Sequence, residues 1–316
     1  MRAMPPQFWL WVAVVLGGFL VVYFRIAQGQ LESAKGGVMA KQRAVARSLG
    51  PKILPFRDKV ERWTTELAGA YPGNFTAPQA SFDEISKQAG VYLRLRQSNA
   101  LSAPKIRKAA ASSLHDGFTS CFFVRKPDED PTRGRKCMRL ADCDSGLVCN
   151  EYDVCVPPPR PYNLRLAYRA LRVLSTEWTD EVHEAPSELA VTAYGRDLDA
   201  VTRNDVPVAI EMLSRAEYFT LVLDEDPAEG LPRELPDAGE THEERVQRVP
   251  HFARVGIWRL ANDEPLLRFR TEAKATVVPV GERVVRRQET VAAQQRQANG
   301  CVVALAVKRA LAPSGN

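Results

Sequence analysis

The 316-residue chain is 45% hydrophobic and 26% charged, which excludes a disordered protein and suffices for one large folded domain or two smaller ones. Its formal net charge of +5 is modest, and no cluster of lysine and arginine with interleaved aromatic residues is present, which excludes a nucleic-acid-binding protein. The even number of cysteines, six, favours an oxidising compartment.

An uncharged apolar segment lies near the amino terminus, between Phe8 and Phe24. Its seventeen residues reach the lower limit for crossing a bilayer core of about 30 Å, and its aromatic residues gather at both ends. A cleaved signal peptide is the alternative, but its apolar region is normally about 7 to 15 residues and ends at an A-x-A-like site, which residues 25–29 lack. We predict that residues 1–24 form a cytoplasmic tip and an uncleaved transmembrane anchor.

The orientation of this span rests on two opposing arguments. Arg2 is the only positive side chain before it, whereas Arg25, Lys35, Lys41 and Arg43 follow it, and the positive-inside rule would place the following residues in the cytoplasm. Long domains, however, translocate largely regardless of charge, and the cysteines require an oxidising space. We therefore predict a single-pass inner or plasma membrane protein whose large domain lies outside the cytoplasm, in the periplasm if the source is bacterial.

The segment after the span is predicted to be a helical stalk, residues 25–80. Its second helix is expected to begin near Pro55, because apolar residues then repeat every three or four positions. These residues are Phe56, Val60, Trp63 and Leu67. Ser81 and Glu84 have the spacing of a capping box, which predicts a short helix ending near Gly90.

Three elements are predicted before the main cysteine cluster. Residues 91–96 alternate apolar and polar side chains, the period of a half-buried strand. Residues 104–114 are predicted to be helical. Residues 118–124 are aromatic and β-branched, which predicts a buried strand carrying Cys121.

Four cysteines follow at equal intervals, Cys137, Cys143, Cys149 and Cys155. The residues between them are mostly polar, so this segment cannot hold one shape without cross-links. Zinc ligands generally come in pairs two to four residues apart, whereas disulfides tolerate this wider spacing. Disulfides are therefore favoured over zinc. Of the three possible connectivities we prefer the interleaved one, Cys137 with Cys149 and Cys143 with Cys155.

The same segment carries a resemblance to a known family. The residues are Cys137, Asp142-Cys143, Ser145-Gly146-Leu147, Cys149 and Cys155-Val156-Pro157. This pattern resembles the small cysteine-rich repeats similar to the Dickkopf amino-terminal region, over about a twentieth of the chain. The resemblance implies an extracellular, disulfide-bonded binding or spacer unit without catalysis. The full Dickkopf-type region has more cysteines, so its ligand recognition is not carried over.

Helices and strands are predicted to intermingle after the cysteines. Asn163 is expected to cap one long helix reaching Val182. Further elements are expected as strands at 189–194 and 219–223, a helix from Asp205 through Ala216, a solvated loop over 224–250, a hairpin of 252–260 with 266–271, a helix over 282–299 and an apolar core segment over 301–311. Cys121 and Cys301 both lie in apolar segments, and we predict a disulfide between them.

These elements predict an α+β fold, in which an N-terminal transmembrane helix and a stalk precede one mixed helix and sheet domain. Residues 81–125 and 160–316 are expected to form this domain, and residues 126–159 are expected to form a disulfide-rich insertion.

Motifs that indicate catalysis are sparse in this sequence. Ser112, Ser113, His115 and Asp116 are the residue types of a hydrolase, but no G-x-S-x-G motif frames them.

Three functional classes follow from this sequence. The first is a non-enzymatic, membrane-anchored binding or scaffolding protein that needs no cofactor, with another envelope protein as its partner. The second is an envelope hydrolase whose site is assembled only in the fold. The third is a module that binds a metal through the four clustered cysteines.

Overall fold

The computed structural model describes residues 6–113, 116–123, 134–138, 142–144, 147–149, 153–156, 161–227, 230–231, 240–276 and 288–312. The helices are α1 (Pro6–Ala68), α2 (Phe82–Lys87), α3 (Ala103–Ala110), α4 (Gly117–Phe122), α5 (Arg165–Arg172), α6 (Thr176–His183), α7 (Glu188–Arg215), α8 (His242–Arg248) and α9 (Gln288–Ala310). The strands are β1 (Phe75–Thr76), β2 (Gly90–Arg96), β3 (Val148–Cys149), β4 (Cys155–Val156), β5 (Tyr162–Asn163), β6 (Tyr218–Asp224), β7 (His251–Arg259) and β8 (Glu264–Ala273). The expectation of a mixed helix and sheet fold with disulfides is confirmed.

The chain divides into two compact units. One contains residues 1–50 and 172–202, and the other contains residues 51–171 and 203–316. Within the first unit, the ammonium group of Lys35 donates to the carbonyl of His183 at 2.8 Å and so satisfies the carboxyl end of α6.

The second unit is built on a six-stranded mixed sheet with the order β1-β8-β7-β6-β2-β5. Strands β2 and β6 run parallel, and β6, β7 and β8 are joined antiparallel. Both β2 and β6 are buried along almost their whole length. The half-buried strand predicted at 91–96 is therefore a strand, but both of its faces are covered.

Helices cover both faces of this sheet. On one face, Trp63 of α1 stacks on Phe219 and Trp258. On the other face, apolar side chains of α4 and α9 pack on the sheet in one core. The two helices cross closely because Gly117 has no side chain, since a Cβ there would lie 2.0 Å from the carbonyl oxygen of Gln297.

The amino-terminal helix differs from the prediction. Helix α1 runs without a break for 63 residues through Pro51 and Pro55. Within the described part of the chain, no helix combines the length and the apolar character needed to cross a membrane. The structure thus gives no support to the predicted span at 8–24, and the side chains of residues 6–14 lie outside those described.

Several other elements also differ. The strand predicted at 118–124 is wrong, because Cys121 lies in α4, which Asp116 opens with a capping box to Thr119. The strand predicted at 189–194 is wrong as well, because these residues form the first turns of α7. The single helix predicted to run from Asn163 to Val182 is two helices, and the hydroxyl of Ser175 caps the second.

Smaller corrections concern caps and loops. Ser81 precedes α2 as predicted, but its side chain makes no capping hydrogen bond. The loop predicted at 224–250 contains α8, whose Val246 is fully buried. Residues 228–229 and 232–239 of that loop, and residues 282–287 of the predicted final helix, lie outside the described residues. The strand at 219–223, the hairpin and the helix near 104–114 are confirmed.

Candidate functional site

A cavity of about 370 Å³ lies within the second unit, at the carboxyl end of β2. Its walls come from the end of β2, the turn after α3, the start of α4, the helix α8 and one side of α9. Six charged side chains line it: Arg94, Arg96, Asp116, Glu243, Glu244 and Arg296. Charged groups that converge on a cavity make it the first place to look for a functional site.

The centre of this arrangement is a buried ion pair between neighbouring parallel strands. Arg94 of β2 donates two hydrogen bonds of 2.8 Å to the carboxylate of Asp224 at the end of β6. Both side chains are only 2% exposed. This two-pronged geometry is the strongest form of an arginine–carboxylate contact, and it offsets part of the cost of burying both charges.

Arg94 also connects the strands to the start of α4. Its Nη1 lies 2.7 Å from Asp116, and the hydroxyl of Tyr92 donates to the same carboxylate oxygen at 2.9 Å. The other oxygen of Asp116 accepts the backbone N–H of Thr119. Asp116 therefore caps a helix and holds the arginine at the same time.

His251 completes the network from the start of β7. Its side chain is fully buried, and its Nε2 lies 2.9 Å from Asp224. Its Nδ1 lies 2.8 Å from the carbonyl oxygen of Val249. The carboxylate of Asp224 thus lies between two basic side chains.

These contacts shift the ionisation of the buried groups. Burial acts to raise the pKa of Asp224, but the positive charges of Arg94 and His251 outweigh it and hold that pKa well below its ordinary range. Burial and the neighbouring Asp116 raise the pKa of Tyr92 well above its ordinary value. Asp224 therefore remains a carboxylate and Tyr92 a neutral donor under ordinary conditions.

The rim charges of the cavity also have partners in the protein. Arg96 contacts Asp226, and Arg296 contacts Glu240 at 2.9 Å. Asn99 donates to Glu243 at 2.8 Å, and Glu244 closes the capping box of Thr241 at the start of α8. The charges around this cavity consequently stabilise the protein itself.

The hydrolase-like cluster of the sequence is only partly brought together. Ser113 and Asp116 both line the cavity, whereas His115 lies outside the described residues. The hydroxyl of Ser113 accepts the backbone N–H of Arg94 at 3.4 Å, and His251 is engaged with Asp224 and Val249. Among the described residues, no serine, histidine and carboxylate form a catalytic triad.

All six cysteines are placed in disulfides, with the pairings that the sequence favoured. Cys121 and Cys301 join α4 to α9, and their Cα atoms are 5.3 Å apart. In the cysteine module, residues 137–155, the bonds join Cys137 to Cys149 and Cys143 to Cys155. The strands β3 and β4 of the module pair antiparallel.

The metal-binding alternative depends on the same sulfur atoms. Those of Cys137, Cys143 and Cys155 lie within 4.8 Å of one another, close enough to surround one ion. Each of them is bonded to another sulfur, however, and zinc binds the thiolate. The disulfide form of the module therefore does not provide the ligands for a zinc site.

Sequence reasoning did not identify Arg94, Asp224 and His251 as a group. The three residues are far apart in the chain and meet only because β2, β6 and β7 are neighbours. No signal in the sequence pointed to Arg94, because it stands at a polar position of an alternating strand pattern. Comparison of the whole chain with protein-family models, with curated proteins and with solved structures found no match.

Proposed function

We propose that this chain is a non-enzymatic binding or scaffolding protein that acts outside the cytoplasm and uses its cysteine module to hold another protein of the cell envelope. One observation carries the proposal. Met138, in a module held by two disulfides, is 93% exposed. Methionine is common at protein-binding surfaces because its side chain is flexible and polarisable, so Met138 presented to solvent by a cross-linked module supports contact with another protein.

The backbone next to Met138 is fixed. Its own N–H donates to Asp142 at 2.9 Å, and the neighbouring Cys137 donates its N–H to the carbonyl of Asp153 at 2.9 Å. Cys137 is 4% exposed and is bonded to Cys149. Because the backbone of this support is already ordered, binding has to order only the side chain of Met138, which favours affinity.

The charge network supports a binding role over catalysis. Each charged side chain that lines the cavity has a partner within the protein, as described above. A serine hydrolase would need its nucleophile next to a base, and the described residues do not place Ser113 beside a histidine. The network is better explained as the element that fixes β2, β6 and β7 around a buried arginine.

The location outside the cytoplasm is supported by the disulfides. Three disulfides with every cysteine paired are typical of an oxidising compartment.

Apolar side chains on α1 between positions 15 and 26 are also more than half exposed, and water is an unfavourable environment for such a stretch. They are Val15, Leu16, Phe19, Leu20, Val22, Tyr23, Phe24 and Ile26. We propose that this stretch belongs to a membrane anchor over residues 8–24.

Site-specific photo-crosslinking in the native host tests the binding role. A photoreactive amino acid replaces Met138 in one variant and Leu189, which is 79% exposed in the other unit, in the control. We expect a discrete adduct with one envelope protein from position 138, which the control variant does not form. Absence of an adduct at position 138, or the same adducts from both positions, would contradict the proposal.

A further inference from the structure

We propose that His251 is held in its doubly protonated form and that its hydrogen bonds hold the carboxyl end of α8, one wall of the cavity, in a pH-dependent way. We call this link, the two hydrogen bonds from His251 to Val249 and Asp224, the clasp. The proposal is independent of the binding role of the cysteine module. It rests on the geometry around one buried imidazole ring.

Both ring nitrogens of His251 face oxygen atoms that can only accept hydrogen bonds. Nδ1 lies 2.8 Å from the carbonyl oxygen of Val249, and Nε2 lies 2.9 Å from a carboxylate oxygen of Asp224. A neutral imidazole carries one N–H, and the lone pair of its other nitrogen would then point at an oxygen lone pair. Only the imidazolium can donate both bonds.

The charges packed around the ring favour this form. From β6, Asp224 supplies a negative charge, and Arg94 of β2 holds the same carboxylate. Asp116, before α4, balances Arg94 and accepts from Tyr92, while the residue facing the clasp from α9 is the neutral Asn299. With His251 protonated, the buried network contains two positive and two negative groups.

The clasp holds the carboxyl end of α8. The side-chain amide of Asn299 donates to the carbonyl oxygens of Gln247 and Arg248, at 2.9 and 3.0 Å. His251 binds the carbonyl oxygen of Val249, the next residue. Helix α8 in turn supplies Glu243, Glu244 and Gln247 to the cavity wall. The carboxyl end of this wall is therefore bound by one neutral amide and one imidazolium, in addition to the buried Val246 and the bond from Asn99 to Glu243.

Loss of the proton from His251 removes one of its two hydrogen bonds. The nitrogen left with a lone pair then opposes either Val249 or Asp224, and both contacts help to connect α8 to the sheet. Only the imidazolium donates to both oxygens, so the link is complete in that form and lacks one hydrogen bond in the neutral form. The wall formed by α8 should loosen and the cavity should become more accessible at alkaline pH.

Hydrogen exchange of the full chain tests the clasp. Protection of the α8 amides, corrected for the intrinsic pH dependence of exchange, is compared at pH 6 and pH 8.5. We expect it to fall about tenfold or more at the higher pH, the effect of one hydrogen bond to a charged group. Peptides from β6 should keep their protection.

Two variants provide the contrast. His251→Gln should abolish the pH dependence of α8 protection, and His242→Gln, at the exposed start of α8, should preserve it. Nitrogen NMR of histidine-labelled wild-type protein at pH 6 should in addition show one buried ring with two hydrogen-bonded N–H groups that exchange slowly with water, which keeps the proposal testable if His251→Gln does not fold. Protection of α8 that is constant with pH, or a ring with a single N–H, would overturn it.

Discussion

The indole rings of Trp63 and Trp258 are stacked with their centroids 5.4 Å apart and their planes only 5° from parallel. Trp63 comes from α1 and Trp258 from β7, so this contact attaches the helix to the sheet. It depends on Gly256, because a Cβ at that position would lie 2.2 Å from the Trp258 ring. The pair is almost fully buried.

The first prediction concerns this stack. Replacement of Trp63 by alanine should lower the free energy of unfolding by about 3–5 kcal/mol, because it removes a buried aromatic ring and leaves a cavity beside Phe219. Denaturant unfolding followed by circular dichroism measures the change. The control Leu189→Ala, at an exposed position, should change stability by less than about 0.5 kcal/mol. Equal effects of the two variants would contradict the packing of α1 on the sheet.

The second prediction concerns the buried carboxylate. Asp224→Asn should destabilise the protein by about 3–5 kcal/mol, because it leaves Arg94 and His251 facing a neutral group. The matched variant Asp226→Asn removes the more exposed partner of Arg96 and should cost less than about 1 kcal/mol. Chemical denaturation at pH 7 compares them. Similar losses for both would mean that Asp224 is not the centre of the network.

The same carboxylate predicts a pH dependence. The pKa of Asp224 is lower in the folded protein than its ordinary value of 3.8, so the unfolded chain takes up a proton first as the pH falls. Its stabilising contribution is therefore present above about pH 4 and is lost progressively below it. Urea unfolding between pH 3 and pH 7 should show a steeper loss in the wild type than in Asp224→Asn. Parallel pH profiles would argue against the ion pair.

The third prediction concerns the bond between Cys121 and Cys301. It closes a loop with a sequence separation of 180, and removal of both cysteines by Cys→Ala substitution should cost about 5 kcal/mol in the chain-entropy model. Removal of Cys137 and Cys149, whose separation is 12, should cost about 3 kcal/mol in the same model. Thermal unfolding without reductant measures the loss of stability in each of the two double variants. A larger loss from the module pair would contradict the role of the long-range bond.

The fourth prediction concerns location. Protease added outside intact spheroplasts, or to intact cells of a eukaryotic host, should digest the large domain. A cytoplasmic marker protein should survive in the same samples. Protection of the domain until the membrane is permeabilised would reverse the proposed orientation.

The elements that could be predicted from the sequence are those whose local pattern and tertiary environment agree. Strand β6 is a short apolar run with turn signals, and β7 and β8 flank the turn at Asn262–Asp263. The positive φ of Asp263, 59°, fits the tolerance of aspartate for the left-handed region. Spacing favoured disulfides over zinc for the four clustered cysteines but left their connectivity open, whereas the apolar surroundings of Cys121 and Cys301 led to the prediction of that pair.

The other elements were decided by contacts that the sequence does not display. The aromatic residues of α4 have strand propensity, but Asp116 caps a helix there, and Phe118 and Phe122 pack with residues of α9. Arg94 occupies a polar position of an alternating pattern, and such positions face solvent when only one face of a sheet is covered. Helices cover both faces of this sheet, so Arg94 is buried, and its partner Asp224 is 130 residues away.

The covalent bond between α4 and α9 also determines what a protease can achieve. Cys121 and Cys301 lie on either side of the cysteine module, α8 and most of the sheet. A single cut at any position between them opens the backbone but releases no fragment, because both ends stay attached through the sulfur bridge. A protease can therefore cut the cysteine module once and still leave the protein as one covalent molecule.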